Sequence, residues 1–171
     1  MKKILLCGYM ASGKTTIAKV LGKASGIPSL DLDDMIEKKA GKSIPDLFAE
    51  DGEIKFRRLE HETLKELLGT NETFVLALGG GTPCYANNHE FLKGEDVVSI
   101  YLKTGIGELA GRLRLQRHGR PLLEKLSAAE LEDYIAKHLF DRSYYYYQAK
   151  HIVTTDGKSP EAVANEIISL L

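Results

Sequence analysis

The residues Gly8-Tyr9-Met10-Ala11-Ser12-Gly13-Lys14-Thr15 fit the pattern G-x-x-x-x-G-K-[ST]. That spacing binds a polyphosphate. Glycines at 8 and 13 let successive amides turn inward around an anion. The helix that follows presents its positive end to the same anion. Lys14 reaches the β- and γ-phosphates, and the Thr15 hydroxyl can ligate magnesium. A chance glycine turn could give the same letters. This one sits between an apolar strand and an amphipathic helix, the context a phosphate loop needs.

Other chemistry-bearing residues fall at the ends of predicted strands. Asp31, Asp33 and Asp34 follow the apolar pair around Leu30. They offer a metal contact and a base, with N-capping by Asp33 or Asp34 as the plainer role. The strand Phe74–Leu78 runs into Gly79-Gly80-Gly81 rather than an aspartate, and the guanine-reading pattern NKxD is absent. A glycine run at the carboxyl end of a buried strand lets backbone approach a small substrate; the plainer role is a turn, which Thr82-Pro83 would also suit. Arg57 and Glu60 lie three apart on one helical face. They make either a surface ion pair or an arginine oriented to grip an anion. Arg112, Arg114, Arg117, Arg120 and Lys125 form a basic segment with Gly111 and Gly119 as flexible points, suited to closing over phosphates. Tyr144 to Tyr147 cover every side of a helix and read as packing; the histidines are scattered and suggest no metal.

The elements that must hold these residues alternate between strand and helix. Strands are expected at Ile4–Cys7, Pro28–Leu32, Phe74–Leu78, Val97–Leu102 and Ile152–Thr154. Helices are expected at Lys14–Ser25, Asp34–Ala40, Ser43–Phe48, Gly52–Leu68 and Gly107–Leu115, with an irregular loop over Arg117–Lys125. Ser127-Ala128-Ala129-Glu130 is a capping box that opens a long helix toward Tyr147, and Ser159-Pro160 starts a last one. The alternation means an α/β fold with a parallel sheet and right-handed crossovers.

Composition bounds the rest. The chain has 171 residues, with 23 Lys plus Arg against 24 Asp plus Glu and 43% hydrophobic residues. That is one globular domain, and its net charge of −1 argues against a chief role in gripping nucleic acid or membrane. Cys7 and Cys84 stand far apart and form no CxxC pair, so reduced thiols and a cytoplasmic setting are expected. Cys7 reads as a small core residue. No signal peptide or membrane span is expected.

Taken together, these residues resemble the shikimate kinase family, a P-loop group related in fold to nucleoside-monophosphate kinases. The resemblance rests on GYMASGKTT at 8–16, DLDDMIE at 31–37, DLFAEDGEIKFRRLE at 46–60, LALGGGT at 76–82, RPLL at 120–123, DRSYYY at 141–146 and TDGKSPE at 155–161. It runs nearly end to end. It implies a three-layer α/β/α P-loop NTPase sandwich with a five-stranded parallel sheet, as one domain over 1–171. A substrate-binding helical insertion would span about 32–62 and a lid about 112–126. The implied reaction is transfer of the ATP γ-phosphoryl group to shikimate, with magnesium as cofactor, by a monomer.

By matching positions, Ala11, Ser12, Gly13, Lys14, Thr15, Thr16, Arg112, Arg120 and Lys158 would bind ATP. Thr15 and Asp31 would hold magnesium. Asp33, Arg57, Glu60, Gly79, Gly80, Gly81 and Arg142 would hold shikimate, with Glu60 orienting Arg57. Lys14, Asp33 and Arg120 would be catalytic. Departures from the family pattern fall at Ala11, where glycine is frequent, and at Leu32, Tyr144, Tyr145 and Lys158. Ala11 is expected to fit with a negative φ. Another small-molecule kinase, such as a gluconate or nucleotide kinase, is opposed by the glycine run and F-R-x-x-E. A non-catalytic nucleotide switch is opposed by Lys14, Asp33 and Arg120.

Overall fold

A computed structural model of the chain describes residues 2–116 and 121–171, the side chains of residues 121 and 122 excepted. The described strands are β1 (Lys3–Cys7), β2 (Ser29–Asp31), β3 (Val75–Ala77), β4 (Val97–Lys103) and β5 (His151–Thr154). They form one sheet in the order β2-β3-β1-β4-β5, and every neighbouring pair is parallel. The helices are α1 (Lys14–Ser25), α2 (Leu32–Ala40), α3 (Ile44–Leu68), α4 (Ile106–Leu115), α5 (Pro121–Glu124), α6 (Ala128–Tyr146) and α7 (Pro160–Ile168).

The strand KILLC is buried at every position, so it shows no polar alternation. Its side chains still alternate between two cores. Leu5 and Cys7 pack with Ile36, Leu64, Leu109 and Ile135 on one face. Ile4 and Leu6 pack with Ile17, Leu21, Val163 and Ile167 on the other. Helices α2, α3, α4 and α6 therefore cover one face, and α1 and α7 the other. This is the three-layer sandwich expected from the sequence. With β1 central, the chain runs to β2 and β3 on one side and then crosses to β4 and β5. Ligands of such sheets bind where that direction reverses, at the carboxyl ends of the strands.

Several boundaries differ from the expectation, for local reasons. Leu32 is fully buried and opens α2 instead of ending β2. The cap of α2 is Asp31, which accepts from the Asp33 amide at 3.0 Å; neither Asp33 nor Asp34 takes that role. Glutamate and aspartate in a first turn also suit the helix dipole, so Asp33 and Asp34 gain there without capping. The helices expected on either side of Gly52 do meet there. Gly52 sits at φ 79°, ψ 167°, inside the run Ile44–Leu68, and breaks it into two arms. Only glycine adopts that conformation readily. Part of the basic loop is helical, as the turn α5. The turn that Thr82-Pro83 suits is present as a 3-10 turn, Thr82–Cys84, and a second, Asn88–Lys93, carries no sequence period. The capping box is present, with Ser127 and Glu130 each satisfying the other's amide.

Candidate active site

The phosphate loop bridges β1 and α1. Gly8 sits at φ 150°, and a Cβ there would lie 2.8 Å from the Leu102 carbonyl oxygen and 2.9 Å from Ser12 Oγ. Nothing but glycine fits. Ala11 corrects the expectation of a negative φ: it stands at +64°. An L-residue in that left-handed well costs about 1–2 kcal/mol relative to the ordinary helix region. The loop thus holds an alanine in a conformation that glycine adopts without cost.

Lys14 is buried and donates from Nζ to the carbonyl oxygens of Gly8 at 2.8 Å and Tyr9 at 2.9 Å. Burial pulls its pKa down to about 8, partly offset by the charges of Asp33 and Asp31. The ammonium is thus still the majority form at neutral pH. A polyphosphate would stabilise it further. Ser12 Oγ is buried and, among the described residues, has no hydrogen-bond partner. Such an orphan inside a phosphate loop fits a site built around an anion.

Beside the loop lies a cleft of about 330 Å³, lined by Ala11, Ser12, Gly13, Thr16, Arg112 and Lys158 among others. Arg112 donates to the Ala11 carbonyl at 3.0 Å and pairs with Glu108. It lies on α4, within the helix expected over Gly107–Leu115. Lys158 pairs with Glu166 at 2.6 Å. Arg120 and Arg117 lie outside the described residues.

Thr15 Oγ1 and Asp31 Oδ2 meet at 2.5 Å. Both are hard oxygen donors, the kind magnesium takes alongside phosphate oxygens and water. Asp31 Oδ1 meanwhile holds the α2 cap, which fixes the carboxylate toward Thr15. Among the described residues no three His, Cys, Asp or Glu side chains gather into a protein cage for a metal. Magnesium bound through substrate phosphates needs no such cage, so these residues fit the ion.

The second half of the site gathers at the glycine run. A Cβ on Gly79 would lie 3.2 Å from Asp33 Oδ1 and 3.4 Å from Glu60 Oε2. A Cβ on Gly80 would lie 3.6 Å from Arg142 Nη1. On Gly81 it would meet Arg57 Nη2 at 2.9 Å and Arg142 Nη2 at 3.3 Å. The glycines leave the space in which two guanidinium groups and two carboxyls converge. Helices α2, α3 and α6 supply Asp33, Arg57 with Glu60, and Arg142.

Glu60 is fully buried. It accepts from Arg57 Nη1 at 2.9 Å and from Thr82 Oγ1 at 2.8 Å. The pair is therefore buried, which excludes the surface ion-pair reading. Asp33 is pushed up to about 6, first by burial, then by the charges of Asp31 and Glu60. A carboxyl balanced near neutrality in a cleft is the usual profile of a proton acceptor.

Residues the sequence did not single out complete the site. Tyr146 is buried and donates to the Gly80 carbonyl at 2.6 Å. It stands four residues after Arg142 on α6, within the DRSYYY stretch that carries the resemblance. Thr82 follows the glycines directly. Tyr9 Oη and His138 Nδ1 meet at 2.8 Å, tying the phosphate loop to α6. Cys7 is a core thiol that burial raises to about 12, in keeping with its sequence reading.

A phosphate loop on a parallel sheet, facing a pocket of arginines and a raised carboxyl, defines an ATP-dependent kinase of a small anionic metabolite. The family model for shikimate kinase matches residues 10–171. A shikimate kinase of Flavobacterium psychrophilum is 48% identical over 171 residues, which is 100% of this chain and 99% of that one. A solved shikimate kinase of Bacteroides thetaiotaomicron superposes with a TM-score of 0.88 at 34% identity, over 99% of this chain and 97% of the other. Another, from Acinetobacter baumannii in complex with shikimate, gives 0.86 at 33% identity, over 99% and 92%. The chain belongs to the shikimate kinase family.

Proposed function

We propose that this enzyme transfers the γ-phosphoryl group of ATP to the 3-hydroxyl of shikimate, giving shikimate 3-phosphate and ADP on the route to aromatic amino acids. The observation that carries this is the convergence of Arg57 and Arg142 on Gly81, beside Asp33 at Gly79. Paired guanidinium groups suit one carboxylate, and a lone carboxylate suits vicinal hydroxyls. Shikimate is a carboxylated polyol of that description.

Phosphoryl transfer passes through a loose transition state, so position and charge do most of the catalysis. Ala11, Ser12, Gly13, Lys14, Thr15 and Thr16 would cradle the ATP phosphates, with Arg112 and Lys158 flanking the base. Thr15 and Asp31 would hold magnesium, which when bound neutralises phosphate charge. Asp33 orients the attacking hydroxyl and takes its proton late. Glu60 and Thr82 fix the Arg57 guanidinium. Arg120 is assigned to the transferring phosphoryl group from its place in RPLL.

We place the substrate-binding insertion at about 32–62 and the lid at about 112–126 of one domain. We read the enzyme as a cytoplasmic monomer with no nucleic-acid or membrane partner. Its near-neutral charge supports the absence of a nucleic-acid or membrane partner. Among the described residues no helix is long and apolar enough to cross a membrane.

The carboxylate clamp has a direct test. Arg57→Ala is expected to weaken shikimate binding about 10- to 100-fold, the scale of a charge-assisted pair, with ATP affinity nearly unchanged. Unchanged shikimate affinity in a calorimetric titration would remove the clamp.

A further inference from the structure

The Arg57 guanidinium is held along one edge by Glu60, through Nη1 at 2.9 Å. That bond leaves the plane of the group free to swing. Its Nε is buried and, among the described residues, has no hydrogen-bond partner; the Glu53 carboxylate stands 3.6 Å off. What lies against the face of the guanidinium is the ring of Tyr85, with the Arg57 Cζ 3.9 Å from the ring centroid. Phe56 is farther, at 5.1 Å. A planar cation laid on an aromatic face gains both electrostatic and stacking energy, more so where water is excluded.

Tyr85 is itself fixed in place. It ends the 3-10 turn Thr82–Cys84 that follows the glycine run. Thr82, at the head of that turn, donates to Glu60 at 2.8 Å. Asn88 donates to the Thr82 carbonyl at 2.9 Å and meets His61 of α3 at 2.7 Å. The turn is thus tied to α3 at Glu60 and His61, about one helical turn beyond Arg57. Those bonds hold the backbone that carries the ring next to Arg57.

We propose that Tyr85 is a positioning residue for the acceptor. By stacking on Arg57 it sets the plane in which Nη2 faces the space shared with Arg142 at Gly81. It acts through Arg57, so the inference rests on the reading of Arg57 as the carboxylate clamp. The ring face does this; the hydroxyl is dispensable.

The test is steady-state kinetics on the full chain with ATP and magnesium, varying shikimate and then ATP. Tyr85→Leu and Tyr85→Gln are expected to raise the shikimate KM about three- to tenfold, the scale of a partly desolvated cation–π contact. The KM for ATP and kcat should stay within about twofold, and Tyr85→Phe should match the parent within about twofold. Tyr85 is 36% exposed, so these variants leave the core intact. In an Arg57→Ala background the further loss from Tyr85→Leu should vanish. A normal shikimate KM in Tyr85→Leu, while Arg57→Ala is impaired, would overturn the inference and spare the clamp. An undiminished Tyr85→Leu effect in the Arg57→Ala background would overturn it too. A normal shikimate KM in Arg57→Ala overturns the clamp, and with it the inference.

Discussion

Asp33 is a carboxyl in a place that disfavours its charge. Its pKa of about 6 against an ordinary 3.8 means the folded chain binds its proton more tightly than the unfolded chain does. Stability therefore falls as pH rises from about 3.8 to about 6, and the full penalty persists above that. Asp33→Asn removes the charge. It is expected to stabilise the ligand-free protein by about 1–2 kcal/mol at pH 8 and by much less at pH 4, while turnover collapses. For the parent, kcat/KM should fall as pH drops below about 6, because the acceptor must be unprotonated to take a proton. Near-normal turnover in Asp33→Asn would show that the carboxylate neither accepts the proton nor places the hydroxyl. Ala11 makes a second point at this scale. Its φ of +64° is paid for elsewhere in the fold. Ala11→Gly relieves that strain but loosens the unfolded chain, and the net is a gain of about 0.5–1 kcal/mol. A lower thermal midpoint in Ala11→Gly would mean that the loop is not strained there. The sequence could mark Ala11 as unusual, but the sign of its φ depends on where the loop amides must point.

At the scale of elements, Gly52 separates the two arms of α3, and the second arm carries Arg57 and Glu60. A Cβ at Gly52 would meet nothing within 4 Å, so the constraint there is backbone conformation rather than space. Gly52→Ala is expected to cost about 1–3 kcal/mol, and to weaken shikimate more than ATP as the arm is re-aimed. Chemical denaturation with parallel KM measurements checks both; equal losses for the two substrates would argue against re-aiming. The break itself was legible, because a glycine divides two amphipathic patterns. So were β1, β3 and β4, through their buried runs, and α6, through its capping box. Thr82-Pro83 suited a turn, but the tie of that turn to α3 was not legible. That tie runs through Thr82–Glu60 and Asn88–His61, which no local period announces. Asp31 as the α2 cap was missed for a related reason: three nearby aspartates all suit a first turn, and the pairing with Thr15 decides among them.

At the scale of the whole molecule, the sheet order places one loop after β1 between two working surfaces. One is the cleft of Ala11, Arg112 and Lys158, and the other the glycine pocket of Arg57, Arg142 and Asp33. The net charge of −1 conceals this, since it averages basic groups gathered at the site with acidic groups spread over the helices. Lys14 follows Gly13 of the cleft and feels the charges of Asp33 and Arg142 from the pocket, a placement that suits transfer between two bound molecules. ADP release with ATP and magnesium, measured with and without shikimate, tests this most directly. The account predicts release that rises with shikimate to saturation, with one shikimate 3-phosphate formed per ADP, and no comparable rate with gluconate or a nucleoside monophosphate. ADP release at the same rate without shikimate, or a preference for either of those other acceptors, would contradict it.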